Sequence, residues 1–264
     1  MRIPLYHVDA FTDQPFRGNP AAVCFLDSWL DEVVLHKVAA ENNFSATAFV
    51  VTGEDGYQLR WFTPIREIKL CGHATLAAAY LLLNLSRNEL DSVTFKTRFR
   101  GNLTVRRAGE CLVMDFPSTP PMNGKMVPET LASALGLKSQ PEEVFEANDT
   151  YIVVVDSATD VKDVRPNFSL LQNLHPYVVA VTALGTDVDF VSRYFAPSYG
   201  VPEDPVTGSV HCILTPYWAA RLSKTNLHAR QLSERGGELW CELAGERVLL
   251  QGKAVFTMEG FLSI

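Results

Sequence analysis

Three short stretches carry the residue types that proton-transfer chemistry uses. Glu203-Asp204-Pro205 stands just ahead of Thr207-Gly208-Ser209-Val210, and Cys71-Gly72-His73-Ala74-Thr75 opens a long apolar run. A carboxylate and an imidazole on opposite walls of a cleft can work as base and acid. Asp204 is equally suited to capping a helix, and His73 to a hydrogen-bonded structural position. Cys71 adds a thiol at the expected start of a helix, where the local field favours a reactive thiolate. Buried cysteines are more often inert packing, and Cys212, inside a second apolar run, reads that way. His7-Val8-Asp9 reads as strand, with Asp9 near a turn, serving either binding or the fold.

These groups must be held by the elements that follow them. From Ala74 to Ser86 the chain has no charged residue. Its Ala, Leu and Tyr content predicts a helix, and a helix apolar on every side is a buried one. It is too short for a membrane span, which needs about 20 such residues. Gly72 permits a tight turn and a close approach. The turn aims free N–H groups at a pocket, and a helix start, with about half a positive charge, suits a carboxylate or phosphate. The pattern recurs. Phe195-Ala196-Pro197 echoes Phe62-Thr63-Pro64, Thr207-Gly208-Ser209-Val210 echoes Cys71-Gly72-His73-Ala74, and Val210–Leu222 echoes the first apolar run. Pro216 should kink that second helix or mark its first turns. The repeated order points to a duplicated architecture.

The 264 residues suffice for one large domain or two of about 130 each. A net charge of −7 and a pI near 5.4 leave no basic footprint for nucleic acid. The first residues, MRIPLYHVDAFTD, lack the apolar core of a secretory signal, and no stretch reads as a membrane span. Five scattered cysteines without CxxC spacing suggest neither a zinc site nor a disulfide framework, and a reducing cytoplasm is the expected location.

In chain order, residues 3–11 and 21–26 read as a hairpin around a turn-rich loop. A helix follows from Trp29 to Asn42, capped by Asp27 or Ser28. Strands are expected at 47–52 and 58–62, separated by a turn over 53–56, and again at 92–97, 103–107 and 111–116. Four prolines between Pro117 and Pro128 mark a linker, dividing the chain into 1–117 and 118–264. Beyond it, a short helix (129–137), strands (144–145, 151–155), helical regions begun by Asp156 or Ser157 and over 167–174, and strands (177–184, 190–195) lead to the second glycine turn. The tail from Gln231 to Phe256 alternates strand-like runs with glycine turns.

Several segments together resemble the phenazine-biosynthesis PhzF-like family, similar in fold to diaminopimelate epimerase. They are Asp9-Ala10-Phe11 with Gly18-Asn19-Pro20-Ala21, Ser45-Ala46-Thr47-Ala48-Phe49, Arg60-Trp61-Phe62-Thr63-Pro64 and Cys71-Gly72-His73-Ala74-Thr75. The later part adds Asp189-Phe190-Val191-Ser192-Arg193, residues 203–209, His211-Cys212 and Ser233 with Arg235-Gly236-Gly237. The resemblance implies an α+β fold of two pseudo-symmetric halves, each a β-barrel-like sheet around a central buried helix. It also implies cofactor-free isomerisation in the cleft between the halves. A proton leaves a carbon and returns at another face or position, while helix N-termini stabilise the negative charge that develops. On that mapping Asp204 matches a catalytic aspartate and His73 a site histidine. Asn19, Ser45, Gly72, Ala74, Gly208 and Ser209 match substrate-binding positions.

One position departs from the family. Its usual Ser-Glu-Thr-Ala-Phe reads Ser-Ala-Thr-Ala-Phe here, so Ala46 occupies the place of the principal acid/base glutamate. Cys71, which aligns with a thiol position of epimerase-like relatives, is the expected substitute, paired with Asp204; Glu41 is a weaker one. The expectation is a cytoplasmic isomerase or epimerase acting on a small carboxylate in a biosynthetic process. It would work without cofactor or metal, as a homodimer, apart from nucleic acid and membranes. The alternative is an inactive small-molecule binding homologue.

Overall fold

The computed structural model describes residues 1–53, 56–85, 90–123, 127–141 and 143–264. Two compact units emerge, Met1–Asp115 together with Gln251–Ile264, and Phe116–Leu250.

In the first unit, β1 (Arg2–Ala10) and β2 (Asn19–Leu26) form an antiparallel hairpin with Ala10 opposite Asn19. The loop between them turns through positive φ at Phe11, Phe16 and Gly18. A Cβ on Gly18 would lie 2.2 Å from the Ala10 carbonyl oxygen, so the strand can start at Asn19 only with glycine before it. Asp9 ties the loop down, its Oδ2 accepting from the Phe16 N–H at 2.7 Å.

Helix α1 (Glu32–Asn42) then crosses to β3 (Ala46–Gly53), which pairs in parallel with β2. The helix begins three residues later than expected. Asp31, not Asp27 or Ser28, captures a first-turn amide, accepting from Val33 N at 2.8 Å. Strands β4 (Gly56–Phe62) and β5 (Glu67–Ile68) lead into α2 (Gly72–Leu85), after which β6 (Ser92–Thr97) pairs in parallel with β4. The antiparallel strands β7 (Gly101–Ala108) and β8 (Cys111–Pro117) continue the sheet. Of the turn expected over 53–56, residues 54–55 lie outside the described residues.

Strand alternation fixes the two faces of this sheet. Ala22, Cys24, Phe49, Val51 and Phe62 pack with Leu35, Val38 and Ala39 of α1. Ala46, Ala48 and Val50 therefore project from the other face. There α2 packs against β1, β2, β3 and β6, with Ala74, Leu76, Ala77, Ala78, Ala79 and Leu81 sealed from solvent. The apolar run thus forms a rod buried on every side over its first turns, with Tyr80 and Leu82 half-buried and Asn84 exposed near its end. The last strand, Ala254–Ser263, returns to pair with the open edge of β1. A single cut after residue 117 has no place for this return, which supplies partners for backbone groups β1 would otherwise leave unpaired.

The second unit repeats the wiring. After β9 (Met122–Asn123) and α3 (Leu131–Leu135), β10 (Glu143–Ala147) and β11 (Thr150–Val154) form a hairpin. The expected linker therefore contains a short strand, and its residues 124–126 lie outside the described residues. Helices α4 (Ala158–Asp163) and α5 (Phe168–Gln172), capped by Ser157 and Asn167, cross to β12 (Val178–Leu184), parallel to β11. Then come β13 (Phe190–Ala196), β14 (Val201–Asp204) and the long helix α6 (Gly208–Leu222). Next are β15 (Asn226–Gln231), parallel to β13, then β16 (Gly237–Ala244) and β17 (Arg247–Gly252). In both units a hairpin, a helical crossover, an antiparallel return and a buried helix follow in the same order. Pro216 sits inside α6 without ending it. Its missing N–H would have met the Cys212 carbonyl, and the Thr119 N–H takes that acceptor at 3.0 Å instead.

Candidate active site

In the first unit the candidate groups converge where β2 and β3 begin and α2 starts. Cys71 holds the helix-capping position, its carbonyl accepting from Thr75 N at 3.1 Å and from Thr75 Oγ1 at 2.6 Å. His73, the second residue of α2, is almost fully buried. Its Nδ1 lies 3.4 Å from Cys71 Sγ and its Nε2 lies 3.1 Å from Ser45 Oγ. Ser45 in turn donates to Asn19 Oδ1 at 2.9 Å.

That chain of contacts runs in one direction with the Asn19 carbonyl oxygen turned to Ser45. Serine has one hydroxyl proton, and Asn19 receives it. Ser45 must therefore accept from His73, so Nε2 carries the ring proton and Nδ1 presents a lone pair to Cys71. Burial lowers His73 from the ordinary 6.5 to about 3, which keeps the ring neutral. A neutral Nδ1 facing Sγ can accept a hydrogen bond from the Cys71 thiol.

In the second unit the candidate carboxylate ends β14. Neighbouring strand residues face opposite ways, and the two carboxylates of Glu203-Asp204 divide accordingly. Glu203 forms a two-pronged ion pair with Arg193, at 2.7 Å to Nε and 2.9 Å to Nη2, and Arg193 also donates to the Val164 carbonyl at 2.9 Å. Glu203 thus anchors the strand. Asp204, almost fully buried, accepts from Thr207 Oγ1 at 2.6 Å through Oδ2. Its partner across the strand pair is Tyr194, whose phenol burial pushes up, with the Asp204 charge adding to the effect.

The starts of α2 and α6 share a detail that the motifs did not reveal. At α6, Thr207 holds the capping position and His211 Nδ1 donates to its carbonyl at 2.7 Å, as Thr75 does at Cys71. Burial lowers His211 to about 4, so it too is neutral. The first amides of each helix have no acceptor within the helix. Gly72 and Gly208 keep that backbone approachable, and Ser209 is exposed beside it.

The structure therefore brings Asn19, Ser45, Cys71 and His73 together in one unit, with Gly72 and Ala74 in the same turn. In the other it gathers Asp204, Gly208 and Ser209. Ala46 is buried at the head of β3 and offers no polar atom. Glu41 lies exposed on α1. Asp9 serves the β1–β2 loop. Gln231, which holds the Asp204–Thr207 turn by three hydrogen bonds, was not singled out by sequence. Its one signal is a buried amide continuing the alternation of Leu227 and Ala229 in β15. Among the described residues, no three His, Cys, Asp or Glu side chains gather to hold a metal ion, and no helix is long and apolar enough to cross a membrane.

Two similarly wired α+β units, each with a buried helix behind a polar turn, define a protein of the diaminopimelate epimerase-like fold class. The sequence matches the family model described as phenazine biosynthesis-like protein over residues 8–260, and the chain belongs to that PhzF family. It is 49% identical to an uncharacterized isomerase of Pseudomonas aeruginosa, with all of both chains covered. The crystal structure of a PhzF-family phenazine biosynthesis protein from Enterococcus faecalis matches with a TM-score of 0.93 and 43% identity, again over all of both chains. A hydroxyproline epimerase from Agrobacterium vitis shares the fold alone, with a TM-score of 0.67 at 8% identity over 99% of this chain and 92% of that one.

Proposed function

We propose that the protein is a cofactor-independent isomerase or epimerase that moves a proton on a small carboxylate substrate, with one group from each half. Asp204 acts as the base that takes a proton from carbon, and the Cys71 thiol returns one. The observation that carries this reading is the difference in resting state. Asp204 receives a hydroxyl hydrogen bond suited to a carboxylate, while Cys71 faces the lone pair of a neutral His73. A removal and return shared between two groups needs such a start, one group empty and one loaded. The amides at the starts of α2 and α6 are suited to the negative charge that develops on the substrate. Family membership supports bringing both groups to one substrate, and the isomerase name of the Pseudomonas relative agrees with the reaction class. Ser45 and Asn19 orient His73, and Ser209 stands among the groups able to bind the carboxylate.

A second reading has a specific observation behind it. Ala46 cannot carry the proton handled by the family's glutamate, and a homologue that only binds small molecules would keep the rest. Both readings are tested by screening small amino and ring carboxylates for thermal stabilisation and then incubating the binders with the protein in heavy water. The isomerase reading predicts a mass gain of one deuteron at carbon. Binding without any gain supports the second reading and contradicts the first.

A further inference from the structure

We propose that Thr207 and Gln231 are positioning residues for Asp204. Gln231 orients the Thr207 hydroxyl so that its single proton goes to Asp204 Oδ2, a donation that favours the ionised carboxylate. This inference rests on the reading of Asp204 as the base.

The argument begins with the orientation of one amide. Gln231 is fully buried at the end of β15. Its Oε1 lies 2.9 Å from the Thr207 backbone N–H, which can only donate. Its Nε2 lies 2.7 Å from the Asp204 carbonyl oxygen, which can only accept. Rotating the amide by half a turn would set donor against donor and acceptor against acceptor, so the orientation is determined. One Gln231 N–H remains, and it reaches Thr207 Oγ1 at 3.2 Å. The hydroxyl, accepting on that side, has its own proton to give. Asp204 Oδ2 receives it at 2.6 Å, in the range of a hydroxyl bound to a charged oxygen. Donation to the charged form favours ionisation.

Three titratable groups stand near this turn. Tyr194, on the paired strand, is kept protonated by burial and by the Asp204 charge. His211, on α6, is neutral and bonded to the Thr207 carbonyl. Glu203 is held by Arg193. The single Gln231 side chain thus grips the turn at both ends and sets the direction of the bond between them.

The test is a carbon-13 NMR titration of the aspartate carboxyls, with Asp204 assigned by its loss in Asp204→Asn. In Thr207→Val, which keeps the volume and removes the donor, the Asp204 midpoint is expected to rise by about one pH unit or more. Thr207→Ser should return it to the wild-type value. Gln231→Leu should raise it too, and gives the same readout if Thr207→Val does not fold. An unchanged midpoint in a folded Thr207→Val protein, or no return in Thr207→Ser, overturns the proposal. The titration needs no substrate, so it separates the two claims. An unchanged midpoint alongside loss of exchange in Asp204→Asn removes only the positioning role. A raised midpoint alongside full exchange in Asp204→Asn removes only the base.

Discussion

The two buried helices start alike and carry different polar groups. Both α2 and α6 begin on a glycine, and a side chain four residues past the capping residue donates to the capping carbonyl, from Thr75 in one and His211 in the other. Around the first turn, a thiol, a neutral imidazole, a hydroxyl and an amide pass hydrogen bonds from Cys71 to Asn19. Around the second, a hydroxyl and an amide serve a carboxylate. The shared wiring supplies the helix ends, and the few residues ahead of each helix set which polar groups stand there.

Several substitutions would break or sharpen this comparison. The largest stability effect is expected at Gly18→Ala, where φ is +64 and the new Cβ would meet the Ala10 carbonyl at 2.2 Å. A loss of about 2–4 kcal/mol in chemical denaturation is expected, and with it the placement of Asn19 in the first half only. A loss below about 0.5 kcal/mol would show that the loop does not hold that end of the hairpin.

Next in size is the pH dependence. His73 and His211 are neutral in the native state, with burial lowering them from 6.5 to about 3 and about 4. Between those values and 6.5 the unfolded chain binds more protons than the native one. Stability is therefore full above pH 6.5 and falls as pH drops towards 3. Each pH unit below 6.5 costs up to about 1.4 kcal/mol for each histidine that the native fold keeps neutral. Denaturation curves at several pH values should show a flatter profile in His73→Gln, and a smaller flattening in His211→Gln. Equal slopes in wild type and both variants would contradict the neutral assignment. The smallest effect is expected at Ser45→Ala, about 1 kcal/mol for one lost hydrogen-bond partner, and it should release the His73 tautomer, readable by nitrogen-15 NMR of the ring. An unchanged tautomer would remove Ser45 from the chain of contacts.

Much of this was legible in the residue order. The apolar runs after Gly72 and Gly208 gave the buried helices, and the echo of Phe62-Thr63-Pro64 in Phe195-Ala196-Pro197 gave the duplication. Cys71, His73 and Asp204 could be named as candidates from type and setting. Other features depend on atoms distant in sequence. The start of α1 turned on which of three nearby polar residues captures an amide, and Asp31 does. The return of Ala254–Ser263 to β1 answers an open strand edge that local pattern does not show. The partition of Glu203 and Asp204 required the strand to place one against Arg193 and the other against Thr207. Gln231 is separated from Thr207 by all of α6, so only the folded chain reveals their contact.

The most direct test follows one deuteron. A small carboxylate bound by the wild-type protein should gain one deuterium at carbon in heavy water, and Asp204→Asn and Cys71→Ser should each slow that gain by about 100-fold or more while remaining folded. Undiminished exchange in either folded variant would contradict the pairing of a resting base in one half with a resting acid in the other.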